Sequence, residues 1–224
     1  MIRKVLIVLS FVAFTGSLFA WGVPSTSSVT GDDDSAKTKS VDLSGLTKSK
    51  EKYENAYLES TKAFAKSMLT AYDAIGVKTE ATKKLAEIND MKSGSVDTDK
   101  LHTVTAEAAE ELEIKLAEAK SIDKEAGKKI GTSMIQMGDA VIKEKTLISG
   151  IKTLATGAAD AAKNASGMDK MNAVTLSKAA ISLSTVVPSD ISIGTKVLKA
   201  YKKFATTNNI TLPKNATKAL PNEG

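Results

Sequence analysis

Apolar residues recur along this chain at spacings of three and four, the period of an α-helix that buries one stripe. The first clear stripe runs through Tyr53, Tyr57, Ser60, Phe64, Met68, Ala71 and Ile75. It predicts an amphipathic helix starting near residue 47, with Thr47 or Ser49 as cap and Glu51 and Glu54 in the first turn. Gly76 is its natural stop. A shorter helix carries Ala81, Leu85, Ile88 and Met91 and ends near Ser93-Gly94. Leu101, Val104, Ala108, Leu112 and Leu116 mark a third, whose other face is acidic at Glu107, Glu110, Glu111, Glu113 and Glu118.

Residues 122–164 form the longest helical candidate, with Ser121 or Asp123 available as cap. Its apolar residues are Ile122, Ala126, Ile130, Met134, Met137, Val141, Ile148, Ile151 and Leu154. It also contains Gly127, Gly131, Gly138, Gly150 and Gly157. A glycine inside a helix costs about 1 kcal/mol relative to alanine. The physical offset is close approach by a neighbour, so these five glycines are the expected close-packing or self-association face. A break at Gly150 is the alternative. A further helix spans 168–187 and ends before Pro188, because the residue preceding a proline is pushed out of the helical region. Ser189 then caps a last helix with Asp190 in its first turn and Ile193, Val197, Leu198, Tyr201 and Phe204 on its core face.

No strand-like alternation is sustained anywhere within residues 47–209. The pattern predicts an all-α fold, an antiparallel helical bundle of about five to six helices over 47–209. Before it, 21–46 reads as a flexible polar linker, a disordered leader rich in Ser, Thr, Gly, Asp and Lys. After it, 210–224 reads as a short extended tail.

Residues 1–20 have the layout of a secretory signal peptide: Met1-Ile2-Arg3-Lys4, an apolar run from Val5 to Phe14, then small residues. The run is too short to span a bilayer, which takes roughly 20 residues. Cleavage after Ala20 fits by position; cleavage after Gly22 fits the small-residue pair Ala20 and Gly22. The expected location is therefore exported, periplasmic or extracellular, in a bacterium. Trp21 would stand beside the new N-terminus.

Composition narrows the chemistry. There is no cysteine, which excludes disulfides, thiolate metal sites and thiol catalysis. Arg3 is the only arginine, so the 31 basic residues fall to 29 lysines once Arg3 and Lys4 leave, against 26 acids. A chain without arginine lacks the usual bidentate reader of phosphate and bases, and nucleic acid is not an expected partner. His102 is the only histidine, so neither a histidine metal set nor a di-iron Glu-x-x-His pair can be assembled. Gly127-Lys128-Lys129 and Gly194-Thr195-Lys196 lack the flanks of a phosphate loop, and Gly31-Asp32-Asp33-Asp34-Ser35 lacks calcium-loop spacing.

These exclusions leave no catalytic, cofactor or metal residues to name. The expected function is a non-enzymatic binding or structural protein of the envelope or extracellular space, contacting a protein partner or itself. One alternative is a membrane-active helical protein, with 147–165 and 168–187 as an inserting hairpin or weak peripheral contact. A second is a hydrolase using paired carboxylates.

Overall fold

The computed structural model describes residues 42–220 apart from positions 93, 95, 121, 214 and 217. The expected signal peptide, most of the expected linker with Trp21, and the last residues of the tail lie outside these described residues. Among them the chain is all-helical, with α1 at Leu43–Ala74, α2 at Glu80–Asn89, α3 at Thr98–Glu118, α4 at Lys124–Asn164 and α5 at Gly167–Thr207.

Short acidic side chains start three of these helices. Asp42 Oδ1 accepts from Gly45 N at 2.9 Å, Asp97 Oδ1 from Lys100 N at 3.0 Å and Asp123 Oδ1 from Ala126 N at 2.7 Å. Each satisfies an amide that a helix leaves without a partner in its first turn. The first cap corrects the sequence reading. Helix α1 begins at Leu43, not near residue 47, and takes its first turn from the expected linker. Leu46 supplies the reason, since it packs against α4 at Gly157 and ties that turn down. Gly76 does end α1: it takes φ +68°, and Val77 N reaches back to Tyr72 O at 3.0 Å.

Two helices of 41 residues dominate the fold. Each is roughly 60 Å long. Helix α4 is continuous through Gly150, so the alternative break does not occur. It reaches α5 through Ala165 and Ser166 alone, and Gly167 opens α5 at φ +55°.

Helix α5 overturns a second expectation. It runs straight through Pro188, so 168–187 and the predicted last helix are one element, and Asp190 is a mid-helix residue. Proline removes one helical hydrogen bond and crowds the carbonyl four residues back. Pro188 is exposed, where water can take the freed carbonyl of Ser184. Its neighbours Val186, Val187 and Asp190 are buried, and that burial holds the helix together across the defect.

The core is built on α1, which is flanked by α4 along its length. Contacts pair Leu46 with Gly157, Tyr53 with Gly150, Ser60 with Glu144, Ser67 with Ser133 and Asp73 with Lys129. Few aromatics are present, yet Tyr57, Phe64, Tyr72 and Tyr201 are all central and buried. Each buried tyrosine hydroxyl finds a partner, as the low-dielectric interior requires: Asp190 for Tyr57, the Ala108 carbonyl for Tyr72 and Ser67 for Tyr201.

Candidate functional site

The five glycines of α4 all lie against other parts of the chain. A Cβ on Gly127 would meet Ile210 at 3.4 Å, one on Gly131 would meet Pro213 Cδ at 3.0 Å, and one on Gly138 would meet the Ala219 methyl at 3.4 Å. These three receive the segment after α5. Gly150 receives the Tyr53 ring and Gly157 the Leu46 side chain, both from α1. The glycines thus line two grooves that receive side chains of the same chain. The covering segment is the expected tail. Ala216 and Ala219 are buried, and turns at Ala216 N–Pro213 O (3.0 Å) and Lys218 N–Asn215 O (3.2 Å) shape it along α4. A sixth glycine is tighter. Gly194 on α5 touches Phe64 and the Val141 methyl, where a Cβ would collide. Its sequence context pointed only to a rejected phosphate loop.

A buried polar cluster joins four helices at mid-bundle. Asp190 on α5 is enclosed; His102 Nδ1 from α3 lies 2.5 Å from its Oδ1, and Tyr57 from α1 donates to its Oδ2 at 2.7 Å. Glu144 on α4 is also enclosed and accepts from Ser60 Oγ at 3.1 Å through Oε1, while its Oε2 is buried without a partner. Burial, reinforced by the Asp190 charge, pushes the Glu144 carboxyl up to about 9. It is therefore protonated at neutral pH. Burial also raises Asp190, against the lowering effect of His102 and Tyr57. Burial raises Tyr57 strongly, with the Asp190 charge next, so it stays a neutral donor.

This cluster is the unforeseen feature of the molecule. His102, the only histidine, is half-buried and keyed to an acid 88 positions away. Chemically it is an acid–histidine pair with a second, neutral carboxyl nearby. Asp190 and Glu144 are sealed inside the bundle, so this pair of carboxyls has no reach to an external glycoside. On the acidic face of α3, Glu107, Glu110 and Glu118 are exposed, and Glu111 and Glu113 are partly covered. Glu107 and Glu118 bond Lys84 and Lys115. Among the described residues no three His, Asp or Glu side chains gather as a metal set.

The exterior holds one concentrated apolar stretch. Met168, Met171, Val174 and Ile181 on α5 are 71%, 65%, 38% and 55% exposed. All four precede Ser182, the point at which Thr98 and Asp99 bond α5 and α3 begins to flank it. The first half of α5 thus lacks the neighbour that covers the second. No described helix is long and apolar enough to cross a membrane. Comparison of the chain with protein-family models, with curated proteins and with solved structures finds no match.

Proposed function

We propose that this is an exported, non-enzymatic structural protein of the bacterial envelope or extracellular space, an antiparallel helical bundle that associates with a second copy of itself through the first half of α5. The observation that carries this reading is the exposed stretch Met168, Met171, Val174 and Ile181. Large apolar side chains grouped on one surface mark contact sites more often than scattered ones do. Methionine adapts its shape to whatever packs on it. The glycine grooves are filled by Leu46, Tyr53 and the segment 210–220, which leaves the α5 stretch as the surface for association. A self-complementary patch on a helix fits a two-fold interface. The opposed order of contact pairs between α1 and α4, and the two-residue reversal between α4 and α5, support the antiparallel layout.

Sedimentation velocity of the full-length protein over a concentration series tests the association. A concentration-dependent dimer that reverts to monomer in the Met168→Lys/Met171→Lys variant is the expected result. A wild-type protein that stays monomeric throughout overturns it. Leakage of anionic vesicles, lost in the same variant, would instead favour the membrane-active reading. Mass spectrometry of the mature N-terminus tests export, with Trp21 or Val23 expected as the first residue.

A further inference from the structure

At the far end of the bundle from the methionines, α3 and α5 bound a cleft of about 510 Å³. That lies within the range of small-molecule sites, roughly 300–1,000 Å³. Its floor is apolar: Leu116 and Phe204, both nearly buried, with Ala119 and Ala200 beside them. Along one rim stand Lys196, Lys199 and Lys203, spaced i, i+3 and i+7 on one face of α5.

Elsewhere in this protein, many helical lysines pair with a local acid. Lys50 bonds Glu54, Lys62 bonds Glu59, Lys83 bonds Glu80, Lys115 bonds Glu118 and Lys128 bonds Glu125. The rim lysines have no such acid beside them on their own stretch of helix. From Ile191 to the end of α5 no acidic residue occurs, and among the described residues none of the three forms an ion pair. Like charges at helical neighbour spacing oppose folding by roughly 0.2–0.5 kcal/mol per pair. The helix dipole does not explain them. Its favourable field is confined to the last turn, and no basic residue stands in the last turn of α5. Glu113 lies on the cleft from α3 without pairing to any of them.

We infer that this cleft binds a small amphiphilic anion, an alkyl chain bearing a carboxylate or phosphate head. The chain would lie on Leu116 and Phe204 and the head would meet Lys196, Lys199 and Lys203. The apolar floor supplies affinity through burial, and the lysine row selects charge.

Isothermal titration of the full-length protein with decanoate and decyl phosphate tests this, with decanol as the uncharged control. Saturable binding of one equivalent of each anion is expected. The triple variant Lys196→Gln/Lys199→Gln/Lys203→Gln should weaken it by roughly tenfold or more, while Glu113→Gln should strengthen it. Circular dichroism checks that both variants stay helical. Binding that is equal for decanol, or unchanged in the triple variant, overturns the inference. So does attachment to phosphatidylglycerol vesicles without any binding of the soluble anions, which would assign the lysine row to a bilayer surface.

Discussion

The two halves of α5 share one helix and one long neighbour, yet they meet different environments. From Asp190 to Ala205 the helix buries Gly194, Val197, Leu198, Tyr201 and Phe204, with α1, α3 and α4 around it. From Met168 to Ile181 it buries Ala173, Leu176 and Ala180 and leaves Met168, Met171, Val174 and Ile181 in solvent. The difference lies in the number of neighbours and not in helix propensity. A helix face is quieted by whatever packs on it, and α3 starts too late in space to cover the first half. The second half carries the core; the first half carries the surface that remains available.

That contrast is most directly broken by truncating one leucine in each half. Leu198 is fully buried among several helices, where the surroundings cannot collapse into a void. Leu198→Ala should lose about 4 kcal/mol of unfolding free energy by urea titration. Leu176 is also buried, but in the stretch that precedes the α3 contact at Ser182, where side chains can relax into the space. Leu176→Ala should lose about 2 kcal/mol, at the low end for such changes. Equal losses would show that the two halves are equally constrained and would remove the contrast.

The cluster packed against the second half, Glu144 of α4 with Asp190, also carries the pH response. Glu144 releases its proton at its ordinary value of 4.5 in the unfolded chain but only near 9 in the folded one. The unfolded state thus binds fewer protons between these values, and stability falls as pH rises through that window. The part of stability tied to the neutral carboxyl is complete below pH 4.5 and drains away toward pH 9. Asp190, also raised by burial, acts in the same direction. Glu144→Gln keeps the shape of the neutral acid without the ionisation. It should raise stability at pH 7 by about 3 kcal/mol and flatten the pH profile of thermal unfolding. Amide exchange between 168 and 181 should not follow pH through this group, because that stretch lies outside the cluster. A wild-type profile that is flat from pH 5 to 8 would show that the buried carboxyl is not held neutral.

Much of the helical framework is legible in the sequence, and the reasons for the exceptions are specific. The stripe from Tyr53 to Ile75 and the stop at Gly76 follow from local rules alone. The glycines of α4 announce that something comes close, but their identity as targets of Leu46, Tyr53 and the segment 210–220 depends on non-local contacts. That segment has no period to reveal it, only isolated apolar residues such as Ile210, Ala216 and Ala219. The Asp190 cluster assembles residues 88 and 133 positions apart. One trace of it was available. The apolar stripe of α4 skips from Val141 to Ile148, and the missing position is Glu144, an acid on a buried face. Asp190 likewise interrupts the row Val187, Gly194 and Val197. In this chain the two acids on apolar stripes, Glu144 and Asp190, are the local trace of the buried network.

The boundary between the halves is Pro188, and it offers the smallest but most selective test. Proline at an interior helical position costs up to about 3 kcal/mol relative to alanine, through the missing N–H and the crowding of Ser184. In this helix much of that cost is relieved, because Pro188 faces solvent and the freed carbonyl can be hydrated. Ser184 and Thr185 turn their hydroxyls onto Ile181 O at 2.8 and 3.0 Å, the back-bonding that accommodates a bend in a helix. Pro188→Ala should therefore gain only about 1 kcal/mol. Its informative effect is local. If the proline uncouples the two halves, restoring the hydrogen bond should slow amide exchange in residues 176–188 while leaving 190–204 unchanged. Slowing spread evenly along α5 would mean that the helix already opens as one unit, and that missing neighbours alone separate its halves.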